Sequence, residues 1–118
     1  MNKINIWIGA TSKEEEDYWN YFYTPIFDGM SQFCLDVGLR WLDEDFMGYY
    51  YNKHSDSLQE AIGNTPESSL YGSITEMCIS RGITKANAMF YYTGNDIITV
   101  DPKRKYNDLN YIGVFDWK

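Results

Sequence analysis

The sequence predicts an α+β fold: a mostly antiparallel sheet with helices packed on one face, in a single domain spanning residues 1–118. Three observations predict it. Apolar residues alternate at the start of the chain, as in a strand with one buried side. Apolar residues at helical spacing recur between residues 12 and 82. Three apolar, strand-like runs then follow one another with no helix between them. A doubly wound parallel sheet would need strands and helices in regular alternation.

Ile4, Ile6 and Ile8 alternate with Asn5 and Trp7, and Gly9 closes this first strand. Ser12 and Glu15 have the spacing of a capping box, which opens a first helix. Glu14, Glu15 and Glu16 fall near the positive end of that helix dipole, where carboxylates are favoured. The helix carries Trp19, Phe22 and Tyr23, and Pro25 ends it. Met30, Phe33, Cys34 and Val37 follow the i, i+3, i+4, i+7 pattern of a second helix. Gly38 supplies its left-handed stop. Leu39 and Trp41 begin an extended segment, and Phe46 to Tyr51 read as a strand. Asp56 and Ser57 precede a short helix, 58–62, ended by Gly63-Asn64. Thr65-Pro66-Glu67 carries the cap, first-turn proline and acid of another helix start. Leu70, Ile74, Met77 and Cys78 form its apolar face, and Gly82 stops it. Strands are expected at 86–92, 97–100 and 109–117, with a turn at Gly94-Asn95, a break at Asp101-Pro102 and a basic loop, Lys103-Arg104-Lys105.

Composition narrows the function. The 118 residues suffice for a core without covalent staples. Aromatic residues make up 18%, with eleven tyrosines, whose polar tips favour ring-rich surfaces and interfaces. Residues 1–60 hold eleven acids against four bases, whereas residues 61–118 hold six of each, so the net charge of −7 sits in the first half. Such a face repels nucleic acid and anionic membranes, since phosphate contacts need Lys and Arg. It attracts basic partners and speeds encounter with them; the plainer role for the charge is solubility. Cys34 and Cys78 form no CxxC, and each falls on an apolar helical face, where a free thiol behaves as a small hydrophobe. With no signal-peptide pattern and no long apolar run, a cytoplasmic location is expected.

Gln32 to Phe46, QFCLDVGLRWLDEDF, joins a helix, a glycine stop, a tryptophan and three consecutive acids. Asp43, Glu44 and Asp45 could form an acidic prong held by Trp41 and Phe46. Equally, they could be exposed acids at a helix-to-strand junction, with Trp41 and Phe46 packed into the core. In an extended chain Asp43 and Asp45 share one side and Glu44 takes the other, a poor arrangement for a cation; no metal and no cofactor is expected. Catalytic signatures are missing: the lone His54 sits in a polar segment, and there is no GxSxG, Walker or HExxH pattern. Clustered carboxylates lining a pocket would be the enzymatic or ligand-binding alternative. A homo-oligomer built on Tyr49-Tyr50-Tyr51 is a third reading.

These residues also carry a family resemblance. The opening Ile4-Asn5-Ile6-Trp7-Ile8-Gly9, the Glu-rich helix with Tyr18, Trp19 and Phe22, and the closing Tyr111-Ile112-Gly113-Val114-Phe115 take part in it. It is strongest at FCxDxG, residues 33–38, followed by WxDEDF, residues 41–46. The chain resembles the immunity protein 22 family of bacterial polymorphic toxin systems. The resemblance implies a non-enzymatic antidote that binds a cognate toxin domain and blocks it, a basic nuclease being one toxin that would suit an acidic surface. It brings no catalytic residues. The residues expected to meet the partner are Asp36, Trp41, Asp43, Glu44 and Asp45, with Glu14, Glu15 and Glu16 on the same charged half; a monomer is favoured.

Overall fold

A computed structural model describes residues 2–23 and 30–117. Five strands form one antiparallel sheet: β1 (Asn2–Gly9), β2 (Met47–Tyr51), β3 (Ala88–Tyr92), β4 (Lys105–Tyr106) and β5 (Leu109–Trp117), in the order β2-β3-β1-β5-β4. Among the described residues four α-helices accompany it: α1 (Glu15–Asn20), α2 (Gln32–Val37), α3 (Leu58–Ile62) and α4 (Tyr71–Ser80). The α+β class and the antiparallel sheet agree with the sequence. The helices, however, cover both faces of the sheet rather than one.

The reason lies in β1. Ile4, Ile6 and Ile8 point to one face, where they pack with Leu58 and Ile62 of α3 and Ile74 and Cys78 of α4. Trp7 points to the other, against Tyr18 of α1, Phe33 and Val37 of α2, and Phe90 of β3. All four β1 side chains are fully buried. A strand apolar on both sides needs a layer on each. The first core is largely aliphatic and the second largely aromatic. A bulge in the β1–β5 pairing between Ile6 and Trp7 sits beside Gly113, which has φ +123°.

Local signals account for most boundaries. Ser31 caps α2 by accepting the Cys34 amide at 3.1 Å, and Ser57 caps α3 through the Glu60 amide, also at 3.1 Å. Gly38 and Gly82 end α2 and α4 at φ +81° and +76°, where a side chain would be strained. Other expectations fail. Glu14 stands at the α1 N-cap without a side-chain cap bond, so Ser12 and Glu15 form no capping box. Thr11 Oγ1 accepts the Lys13 amide instead. Pro25, expected to end that helix, lies outside the described residues; α1 ends at Asn20. A 3-10 turn over Ser68–Leu70 leads into α4. Residues 97–100 form no strand: they run as a loop against α2, with the Thr99 amide donating to the Val37 carbonyl at 2.9 Å. Nor did the sequence reading find the β4–β5 hairpin. Asn107 and Asp108 turn it with φ +54° and +69°, the geometry of a two-residue type I′ loop. Cys34 and Cys78 are free and buried as expected, and burial pushes the Cys78 thiol up to about 11. No helix among the described residues is long and apolar enough to cross a membrane.

Candidate functional site

The acids at 43–45 do not lie along an extended strand. Glu44 to Phe46 form a 3-10 turn, and Asp43 caps it by accepting the Asp45 amide at 3.0 Å. Trp41 and Phe46 are not core residues: they are 63% and 41% exposed. Phe46 closes the 3-10 turn at the surface just before β2 begins, and Trp41 lies ahead of that turn, beside Gly38 and Ile97. The scaffold below is built by other rings: Phe90 stands edge-on to Phe22 and Phe33, which are tilted against each other.

Tyr49 of β2 connects the turn to α1. Its hydroxyl donates to Glu44, while its ring stands edge-on to Trp19 at 5.5 Å and to Phe22 at 4.6 Å. Trp19 Nε1 in turn donates to Glu15 at 3.3 Å. Burial, then the Glu44 hydrogen bond, push the Tyr49 phenol far above its usual value, so it stays a donor at neutral pH. Trp19, Asn20, Phe22, Tyr23, Glu44 and Tyr49 line an open depression of about 310 Å³. The structure thus brings Glu15 and Glu44 to one face, although 29 positions separate them in the chain. Asp45 and Glu16 are exposed and make no side-chain hydrogen bond among the described residues. Glu14 pairs with Lys53.

Two sequence-picked residues lie apart from this face. Asp36 has a side chain only 8% exposed. It accepts from Tyr21 Oη at 2.6 Å, Gln32 Nε2 at 2.8 Å and Arg104 Nη2 at 2.7 Å. It ties α1, α2 and the basic loop together, and its acceptor sites are already used inside the fold. Trp41 belongs to a separate depression of about 280 Å³ with Gly38, Leu39, Arg40, Asp96 and Ile97. Ile97 is 91% exposed, and the sequence reading placed it in a strand. The signal that could have found it is its setting, the first apolar residue after the polar turn Gly94-Asn95-Asp96. Tyr49 was also missed as a site residue, because nothing in the tyrosine run marks which ring faces the acids. His54 is exposed in a turn, where its amide donates to Asn52 Oδ1.

The fold and this face define an α+β domain that gathers acids and aromatic rings along one margin of its sheet. The chain belongs to the immunity protein 22 family, whose sequence model matches residues 4–118. The family resemblance carried by FCxDxG and WxDEDF therefore holds over essentially the whole length. No curated protein and no solved structure matches the chain.

Proposed function

We propose that this chain is a non-enzymatic antidote that binds a cognate toxin domain through the acidic face shared by α1 and the 44–46 turn. Family membership supplies the role. The observation that carries the site is the Glu15–Trp19–Tyr49–Glu44 chain of contacts, which fixes carboxylates from two segments around exposed rings. Rings give an interface its buried anchors. Complementary charge selects the partner and speeds association. A basic toxin, such as a nuclease with a cationic cleft, has the matching chemistry. Asp36 belongs to the scaffold in this reading, and Glu44, Asp45, Glu15 and Glu16 are the contacts. Asp43 and Glu14 lie at the rim, both partly engaged within the fold, and Trp41 stands apart in its own depression.

The enzymatic alternative needs a pocket built on Asp43 or Asp45; the depression on this face is lined by Glu44 and neither aspartate. The test is Glu44→Gln combined with Asp45→Asn, measured against the cognate toxin domain in catalytically inactivated form. Affinity should fall by more than about tenfold, mainly through slower association, with Tm held within about 2 °C of the parent. Unchanged affinity would remove these acids from the interface.

A further inference from the structure

The two edges of the sheet differ. β4 is two residues long and carries Lys105, so it offers little backbone to a newcomer. β2 is five residues long, contains no proline, lysine or arginine, and pairs with β3 without a bulge. Short strands, lysines, prolines and bulges are the usual protections of a sheet edge. β2 has none of them.

The hydrogen-bond register shows which groups are open. The Thr93 amide donates to the Phe46 carbonyl, and the Asn52 amide donates to the Asn87 carbonyl, both at 2.8 Å. In an antiparallel ladder such bonded pairs alternate, so Gly48 and Tyr50 also bond inward to Tyr91 and Met89. The amides and carbonyls of Tyr49 and Tyr51 then point away from the sheet. Among the described residues no other backbone group pairs with them. The Met47 amide is occupied by the Glu44 carbonyl, so the open stretch begins just past the turn.

Carboxylates flank this edge on both faces. Tyr49 holds Glu44 on the aromatic side, and Tyr50 holds Glu60 on the aliphatic side. An added strand would alternate its side chains between these faces. Cationic side chains would therefore meet an acid on either side. A second copy of this chain would instead bring Glu44 and Glu60 against their own kind.

Resting on the toxin-binding reading above, we propose that the toxin domain is held by strand addition: an extended, Lys- or Arg-bearing segment of it pairs with the open edge of β2. Main-chain bonds to Tyr49 and Tyr51 give affinity, and the flanking acids select a basic segment.

Residue-resolved hydrogen exchange on the full chain, alone and with the inactivated cognate toxin domain, tests this. In the free chain the Gly48 and Tyr50 amides should exchange slowly, and those of Tyr49 and Tyr51 fast. Toxin should slow Tyr49 and Tyr51 by about tenfold or more, leaving Gly48 and Tyr50 little changed. A complex that forms while Tyr49 and Tyr51 still exchange fast overturns strand addition and leaves toxin binding standing. No complex at all overturns both. Protection of Tyr49 and Tyr51 in the free chain, with a dimer mass by light scattering, would make a second copy the occupant and overturn the proposal.

Discussion

One face of the sheet is packed with isoleucine and leucine, the other with aromatic rings. The aliphatic core reaches a surface carboxylate at its margin, where the partly buried Tyr50 donates to Glu60. The aromatic core carries phenols whose hydroxyls continue outward: Tyr49 reaches Glu44, Tyr21 reaches Asp36, and Tyr51 reaches the Lys13 carbonyl. On this side the same residues hold the core and set the surface carboxylates. The rings that stabilise the fold therefore also place the acids a partner would meet.

Alkaline pH should separate the two faces most sharply. Burial first of all raises the Tyr18, Tyr21 and Tyr49 phenols far above 10, and all three belong to the aromatic side. Above pH ~10 the unfolded chain gives up these protons while the folded chain keeps them. Stability, complete below that pH, should fall by about 1.4 kcal/mol per pH unit for each of the buried Tyr18 and Tyr21, and by less for the half-buried Tyr49. Denaturant midpoints between pH 9 and 11.5 would show the decline, and Tyr18→Phe should make it shallower by one tyrosine's share. A flat profile would mean that these phenols ionise in the fold.

Core truncations come next. Phe90→Ala removes a fully buried ring that touches Trp7, Tyr21, Phe22 and Phe33, and should cost about 3–5 kcal/mol. Ile6→Val on the opposite face should cost only about 1 kcal/mol. Urea unfolding of both variants would compare the faces, and equal losses would mean that the two cores yield alike. A smaller effect is expected at the junction of fold and surface. Asp36→Ala strands the Tyr21 hydroxyl and should cost about 1–3 kcal/mol, while the toxin association rate stays near the parent value. A large drop in that rate would return Asp36 to the interface.

The sequence made the α+β class, the antiparallel sheet and most strand positions legible, because β1, β3 and β5 carry clear apolar patterns between glycine and polar punctuation. It did not show the second helical layer. Trp7 reads as the outer side of an alternating strand, and only its burial against α1 and α2 reveals a second core. The acids at 43–45 were legible as a cluster but not as a turn, because a 3-10 helix of three residues leaves no periodicity. Phe46, the last residue of that turn, is exposed rather than core for the same reason. The joining of Glu15 to Glu44 depends on tertiary packing through Tyr49, which no local pattern encodes.

The pairing of Asn2 with Trp117 has a consequence in time. β1 leaves the ribosome well before both of its neighbours, β3 and β5, which come from the last third of these 118 residues. At about 5–20 residues per second, its apolar residues wait on the order of 5–20 s for partners. Contacts so distant in sequence also favour slow folding. For the antidote proposed above, protection would then lag behind translation, and shielding β1 during that interval would fall to whatever holds the nascent chain.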